Sequence, residues 1–158
     1  MNPEPPSLQK AMAGVANASE PLPGLATGGQ PAEANLRALH DAGVEVVLDI
    51  RDPMEGRPFD EAALVAGIGM RYVNVPISSG ALSDDAMERV LAVLRNRTGG
   101  AVFFHCASGT RVGGPLIAHL VLDNGMEEED AVEIAMRAGL RSAEMLEWGL
   151  DYARRKAG

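Results

Sequence analysis

The sequence predicts a three-layer α/β domain in which a central, mostly parallel sheet of four to five strands is flanked by helices. Two observations predict this fold class. Short apolar runs of strand length alternate along the chain with longer segments whose apolar residues recur every three or four positions. The two clearest strands, at residues 44–50 and 101–105, are almost entirely apolar, as expected for strands in the interior of a sheet.

The predicted elements follow one another in a regular order. Residues 1–20 have prolines at positions 3, 5 and 6 and predict a flexible or peripheral N-terminal segment, with a short helix over 8–15. The rest, residues 21–158, predict a single domain. Its predicted strands cover 22–26, 44–50, 70–75 and 101–105, and its helices begin near Pro31, Phe59, Ser83, Gly113, Glu127 and Ser142.

Composition and charge exclude several function classes. The chain has 158 residues and a net charge of −8, from 14 Lys and Arg against 22 Asp and Glu. This acidic balance argues against a nucleic-acid partner and against binding to anionic membrane surfaces. The single cysteine permits no intramolecular disulfide, which fits a reducing compartment. With neither a membrane-spanning apolar run nor a signal-peptide pattern, the sequence predicts a cytoplasmic protein. It makes no prediction of the oligomeric state.

The most informative stretch joins the strand at 101–105 to the next helix, and we call its residues 105–111 the anion loop. Backbone N–H groups that converge at the start of a helix bind anions, and Gly109 allows the backbone to curl around one. The guanidinium of Arg111 fits a tetrahedral oxyanion, and the same positive field favours the thiolate of Cys106, which makes it a nucleophile. The sequence therefore predicts two catalytic residues, Cys106 and Arg111, within an anion-binding loop that needs neither metal nor cofactor and comprises His105, Ala107, Ser108, Gly109, Thr110 and Arg111.

The anion loop resembles the cysteine-phosphatase signature His-Cys-x-x-Gly-x-x-Arg with one residue fewer, because Arg111 stands five positions after Cys106. The chain is more similar to a bacterial group of phosphatase-like proteins described as beta-lactamase-hydrolase-like, whose loop resembles Cys-Arg-Ser-Gly-Thr-Arg-Ser. Further similar stretches lie at 26–31, 46–51 and 68–77 and, more weakly, at 135–139.

The resemblance covers about residues 20–140 and implies a dual-specificity-phosphatase-like fold. It also implies a cysteine-dependent phosphatase that acts on a phosphate monoester through a phospho-cysteine intermediate. The implied partner is a phosphorylated protein, carrying phosphotyrosine or phosphoserine, or a small phosphate ester.

Two departures from the phosphatase pattern predict a slow enzyme. Phosphatases of this type often place a general-acid aspartate after the strand at 70–75, where this chain has serines instead. Ser83 predicts a helix N-cap, which puts the nearest aspartates in the first turn of that helix. The second departure is Val112, where a Ser or Thr hydroxyl would assist breakdown of the phospho-cysteine. The candidate general acids are Asp52, Asp84 and Asp85.

Alternative functions remain open at this stage. The spacing of Cys106 and Arg111 is also similar to the active loop of rhodanese-type sulfurtransferases, in which the cysteine carries a persulfide. A sulfurtransferase or persulfide carrier is therefore one alternative, and a non-catalytic module that binds a phosphorylated ligand is another. A lone cysteine at the end of a strand is also compatible with a domain that has no site there. Arg57, in the loop at 52–58, is a second candidate anion contact.

Overall fold

The computed structural model describes residues 7–97 and 100–157 of the chain. Its strands are β1 (Ser19–Leu22), β2 (Leu25–Gly28), β3 (Val44–Asp49), β4 (Arg71–Asn74) and β5 (Ala101–His105). They form one five-stranded sheet in the order β1-β2-β5-β3-β4. All neighbouring strands are parallel except the edge strand β1, which pairs antiparallel with β2. The predicted α/β fold class, with a mostly parallel sheet between helices, is confirmed.

Helices cover both faces of the sheet, and each face has its own apolar core. Phe103 and Phe104 are consecutive on β5 and therefore point to opposite faces, each fully buried in a different cluster of apolar side chains. The helices on the Phe103 face are α1 (Leu8–Ala11), α2 (Glu33–Asp41) and α3 (Glu61–Ile68). Those on the Phe104 face are α4 (Asp84–Arg95), α5 (Gly113–Asn124), α6 (Glu128–Arg137) and α7 (Ala143–Ala157).

The described part of the N-terminal segment packs onto the domain. Four apolar side chains of this segment are buried in the core on the Phe103 face, because the start of the chain lies against α2; they are Leu8, Ala11, Met12 and Val15. The predicted division at residue 20 falls inside β1, and the single strand predicted over 22–26 is a hairpin of two strands. The chain reverses at Gly24, whose φ of 79° is accessible to glycine at little cost. Residues 1–6 of the predicted segment lie outside the described residues.

Local signals fix the helix ends where the sequence predicts them. The Ser83 hydroxyl accepts a hydrogen bond of 3.1 Å from the Ala86 N–H and caps α4. Gly125, in the left-handed conformation, ends α5. Among the described residues, no helix combines the length and the apolar character that crossing a bilayer requires.

Candidate active site

The anion loop lies at the carboxyl edge of the sheet. His105 ends β5, the central strand, which pairs with β2 on one side and β3 on the other. The residues that follow β2 and β3 therefore meet the anion loop at one edge, where ligands bind in open α/β sheets. The Gln30 N–H, just after β2, donates a 2.8 Å hydrogen bond to the Ala107 carbonyl, and the Ile50 N–H, just after β3, donates to the His105 carbonyl at 3.0 Å.

Cys106 is fully buried, and its Sγ is the point on which two backbone donors of the loop converge. The Gly109 N–H donates to Sγ at 3.1 Å and the Arg111 N–H at 3.4 Å. Gly109 reaches this position with a φ of 87°, and a Cβ there would lie 2.9 Å from the Asn17 side chain. Asn17 in turn donates from Nδ2 to the Ser108 carbonyl at 2.8 Å. The loop is thus packed from behind into a shape in which two backbone donors face the sulfur.

The side chains of the other predicted loop residues are arranged differently. Ala107 and Ser108 are exposed, and the Ser108 and Thr110 hydroxyls lie 3.1 Å from each other. Val112, immediately after the loop, is fully buried in the core on the Phe104 face. His105 is fully buried as well, so it lies beneath the loop rather than on its ligand-facing surface.

Arg111 carries a carboxylate partner that the sequence does not predict. Its Nη1 and Nη2 donate to the two carboxylate oxygens of Glu55 at 2.8 and 2.7 Å, and Nη1 also donates to the Ile77 carbonyl at 3.1 Å. The hydrogen bond from Arg111 lowers the pKa of Glu55 despite partial burial, and the same bond raises the pKa of Arg111. A carboxylate therefore occupies the two-pronged face of the guanidinium that an oxyanion would use.

Below the loop lies a cluster of four buried ionisable side chains, each 0 or 1% exposed: Asp49, Arg51, Glu61 and His105. Arg51 donates to Asp49 from Nε and Nη2 and to Glu61 from Nη2, and His105 Nε2 lies 2.6 Å from Glu61. Burial by itself would raise the pKa of Asp49, but the hydrogen bonds from Arg51 and the charge of His105 outweigh it, so that pKa is lowered.

Oxygen and nitrogen atoms of Asp49, Glu61 and His105 lie close enough together to face one ion. Because Arg51 already donates to both carboxylates, this group is paired internally and does not fit a metal.

The three candidate general acids lie in two places. Asp84 begins α4 and pairs with Arg155 of α7 at 2.7 Å, and Asp85 is exposed beside it in the same first turn. Asp52 instead lies in the loop that carries Glu55, and its N–H donates to Glu55 at 2.7 Å. The Ser78 hydroxyl donates to the Asp52 carboxylate at 3.3 Å. Asp52 is therefore the candidate that contacts side chains around Arg111.

A family model described as DSP-PTPase phosphatase fused to NAD+ kinase (PTP-NADK) matches residues 12–149, which include β1 to β5 and the anion loop. The chain belongs to the PTP-NADK family. This match confirms the dual-specificity-phosphatase-like class that the loop sequence implies. It does not confirm membership of the beta-lactamase-hydrolase-like group that the sequence also resembles. No match was found among curated protein sequences.

Solved structures show the same fold at low sequence identity. A DUF442 protein from Shewanella putrefaciens CN-32 superposes with a TM-score of 0.77 and 22% identity, over 94% of this chain and 98% of that one. Tk-PTP in its active form gives a TM-score of 0.76 at 21% identity, over 88% of this chain and 97% of that one. PTPMT1 in complex with PI(5)P gives 0.74 at 16% identity, over 89% of this chain and 99% of that one.

Sequence reasoning missed two glutamates that contact the ends of the anion loop of the PTP-NADK domain, Glu55 at Arg111 and Glu61 at His105. Glu55 stands in an irregular loop, where a carboxylate is ordinarily solvated, and no motif marks it. Glu61 stands in the first turn of α3, where a carboxylate is common because it complements the helix dipole. Arg57, the second candidate anion contact, lies near the Tyr72 hydroxyl at 3.4 Å and Asp49 at 3.8 Å.

We expect Glu55→Gln to bind inorganic sulfate up to about fivefold more tightly than the wild type, because partly exposed ion pairs contribute up to about 1 kcal/mol. The sulfate must otherwise displace the Glu55 carboxylate from Arg111. Because the pKa of Glu55 is lowered in the folded protein, the ion pair is fully formed above the ordinary value of 4.5 and is lost as the pH falls through the lower folded-state value. Wild-type affinity should therefore approach that of the variant only on acidification.

Isothermal titration calorimetry with sodium sulfate measures this difference at neutral pH. The matched control is Glu33→Gln, which removes a carboxylate from an exposed pair with Arg37 on α2 and should leave sulfate affinity unchanged. Weaker sulfate binding by Glu55→Gln would mean that Glu55 orients Arg111 for the anion rather than competing with it.

Proposed function

We propose that the PTP-NADK domain is a cysteine-dependent phosphatase that hydrolyses a phosphate monoester through a phospho-cysteine intermediate. The observation that carries this proposal is the convergence of the Gly109 and Arg111 N–H groups on the buried Sγ of Cys106. Backbone donors held in this position also suit the oxygens of a phosphoryl group that the sulfur attacks. The guanidinium of Arg111, once free of Glu55, supplies two further donors.

The reaction proceeds in two displacements at phosphorus. In the first, the Cys106 thiolate forms the S–P bond as the ester P–O bond breaks, and the departing alkoxide takes a proton from a carboxylic acid. In the second, a water attacks the phospho-cysteine, its proton returns to the carboxylate, and the S–P bond breaks to release inorganic phosphate and the thiolate. Arg111 and the loop N–H groups hold the equatorial oxygens throughout.

Hydrolysis of para-nitrophenyl phosphate by the wild-type protein tests this proposal. The assay runs from about pH 5 to about pH 8, with a chelator present, because a thiolate mechanism needs no added metal. Release of para-nitrophenolate at a rate that saturates with substrate is the expected result. No release above the buffer rate at any pH would contradict the proposal.

We propose Asp52 as the acid that protonates the leaving oxygen, since it is the candidate beside Glu55 and Arg111. Asp52→Asn should slow hydrolysis of phenyl phosphate about 10²-fold, because phenoxide is a poor leaving group that needs a proton. The effect on para-nitrophenyl phosphate should be much smaller, since para-nitrophenoxide leaves without one. Asp84→Asn, which removes an aspartate paired with Arg155, is the control and should hydrolyse both esters at the wild-type rate. Equal losses on both esters would assign Asp52 a different role.

The family description suggests one substrate to test first. Relatives that carry this domain fused to NAD+ kinase join it to an enzyme whose product, NADP+, is itself a phosphate monoester. NADP+, a phosphotyrosine peptide and PI(5)P, the ligand in the PTPMT1 complex, form a panel of three chemically distinct monoesters. Comparison of kcat/KM across the panel identifies the class that the site prefers.

A sulfurtransferase remains the second candidate because of one specific observation, the four-residue spacing between Cys106 and Arg111. A sulfurtransferase would accept one sulfur atom from thiosulfate onto Cys106, with release of sulfite, and pass it to cyanide as thiocyanate. Intact-mass spectrometry after incubation with thiosulfate distinguishes the two candidates, because a phosphatase gains no cyanide-removable sulfur.

A further inference from the structure

The N-terminal segment meets the anion loop at a residue in an uncommon backbone conformation, Asn17. Its φ of 53° makes it the one residue other than glycine in the left-handed region within the described part of the chain. Asparagine tolerates this conformation better than most residues do. Backbone of this kind is often found at functional sites, where the surrounding contacts hold it in place.

Glycines on three neighbouring segments leave room for residues 15–17. A Cβ at any of these glycines would lie within 2.9 Å of a side-chain carbon of Val15 or Asn17, which is closer than carbon atoms in van der Waals contact. They are Gly28 of β2, Gly109 of the anion loop and Gly139 between α6 and α7. The N-terminal segment is therefore built into the surroundings of the anion loop.

The side-chain amide of Asn17 fixes the orientation of one peptide in the anion loop. Its Nδ2 donates to the Ser108 carbonyl at 2.8 Å, and the N–H of the same peptide, that of Gly109, donates to Cys106 Sγ at 3.1 Å. In a planar trans peptide the C=O and the N–H point in opposite directions. A hydrogen bond that holds this carbonyl outward therefore also directs the N–H inward, at the sulfur.

The glycine at position 109 makes an external constraint on this peptide necessary. Reversal of the Ser108–Gly109 peptide would exchange the directions of its C=O and N–H and would change the φ of Gly109 from 87° to a negative value. Glycine adopts either sign of φ about equally readily, so the loop sequence by itself does not choose between the two orientations. In the reversed orientation a bound anion would meet the Ser108 carbonyl, which can only accept, instead of a donor.

The preceding carbonyl of the loop is held by a main-chain donor. The Ala107 carbonyl accepts from the Gln30 N–H at 2.8 Å, a bond that does not depend on the side chain at position 30. The Ser108 carbonyl instead accepts from a side chain, which Asn17 supplies. We propose that Asn17 is a positioning residue of this site: its amide holds the Ser108–Gly109 peptide so that the Gly109 N–H faces Sγ and a bound oxyanion. The inference rests on the proposed function for the part that this N–H plays in the reaction.

Amide hydrogen exchange followed by NMR tests the orientation of the peptide. We expect the Gly109 N–H to be protected in the wild type and to exchange about tenfold faster in Asn17→Gly and Asn17→Asp, because each variant removes one hydrogen bond. Glycine keeps access to the left-handed backbone, whereas aspartate keeps the Cβ that packs on Gly109 and loses the donor. An unprotected Gly109 amide in the wild type would overturn the proposal whether or not either variant folds.

A second amide in the same spectra separates positioning of the peptide from attachment of the N-terminal segment. The Gly29 N–H donates to the Ala16 carbonyl at 2.9 Å, so its exchange reports whether the segment stays in place, and it should be unchanged in both variants. Equal acceleration at Gly29 and Gly109, or acceleration of Gly109 in Asn17→Gly alone, would show that Asn17 acts by attachment or by packing. Either result, or unchanged exchange at Gly109, would overturn the proposal.

Binding of inorganic sulfate, measured by isothermal titration calorimetry, tests the consequence for an anion. Asn17→Gly adds no charge, and it should bind sulfate about tenfold more weakly than the wild type because one donor is no longer oriented. The matched control is Asn35→Ala, since the Asn35 amide also donates to main-chain carbonyls of the N-terminal segment, those of Ala11 and Ala13. This control should bind sulfate as the wild type does. Wild-type affinity in Asn17→Gly would overturn the proposal.

Neither measurement depends on turnover, so the two proposals fail separately. A protein that shows these effects of Asn17 but hydrolyses no phosphate ester would contradict the proposed function alone. An active phosphatase in which Asn17→Gly changes neither the exchange of Gly109 nor the affinity for sulfate would contradict the role of Asn17 alone.

Discussion

Replacement of Cys106 by serine is expected to lower the rate of para-nitrophenyl phosphate hydrolysis by about 10⁴-fold or more, because a neutral hydroxyl is a far weaker nucleophile than a thiolate. In the proposed mechanism, the atom that attacks phosphorus is the buried Sγ, at which two backbone N–H groups are directed. Serine is nearly isosteric with cysteine, so the fold and the loop N–H groups remain. Steady-state kinetics over a full pH range measures the loss.

The control for this variant is Ser108→Ala, which removes a hydroxyl of the same loop that contacts Thr110 and makes no bond to the sulfur. It should retain turnover within about threefold of the wild type. Sulfate binding by Cys106→Ser should also survive, since the donors are unchanged. If the wild type binds sulfate as well as the variant does but neither turns substrate over, the domain is a non-catalytic binding module.

Replacement of Arg111 by lysine is expected to lower kcat/KM about 10³-fold. Lysine keeps the charge but loses the planar fork that donates to two oxygens at once, and removal of a single donor to developing charge typically costs 10²–10³ in kcat. In the structure the fork is already directed at two oxygens of one group, the carboxylate of Glu55. Measurement of kcat and KM separately shows whether the loss is in the transition state, as predicted, or in ground-state binding.

Arg57→Lys is the matched control for Arg111→Lys, since both are arginines at the carboxyl edge of the sheet. Arg57 approaches Tyr72 and Asp49 rather than the anion loop, so we expect its replacement to change kcat/KM less than tenfold. An Arg111→Lys enzyme that works within threefold of the wild-type rate, or an Arg57→Lys enzyme with the larger loss, would mean that the catalytic arginine is misassigned.

The sequence predicts those parts of the site that depend on neighbours along the chain. The strand at 101–105, the loop that follows and the helix after it are contiguous, so apolar pattern and glycine placement define them without knowledge of the fold. The cap of α4 is equally local: Ser83 predicts its own hydrogen bond to the helix, and it places Asp84 and Asp85 in the first turn. The order of elements and the fold class follow from the same local signals.

The parts of the site that the sequence does not predict are contacts between distant segments. Glu55 and Arg111 are 56 positions apart, and Glu61 and His105 are 44 apart. Each glutamate has an ordinary local explanation, because one stands in a solvated loop and the other in the first turn of a helix. Their contacts with the anion loop become visible only when β3, β5 and α3 meet at one edge of the sheet. The sequence predicts one strand where the structure has the hairpin of β1 and β2. Both strands are very short, and the reversal between them depends on the conformation of Gly24.

The most direct test of the account is the identification of the covalent intermediate. The protein is mixed with para-nitrophenyl phosphate, quenched in acid within the first turnover, digested, and analysed by mass spectrometry. Val112 offers no hydroxyl to assist breakdown of a phospho-cysteine, which favours its accumulation. The account predicts one phosphoryl group on the peptide that contains Cys106, absent from Cys106→Ser. Turnover with Cys106 unmodified at every time point, or a phosphoryl group on any other residue, would contradict it.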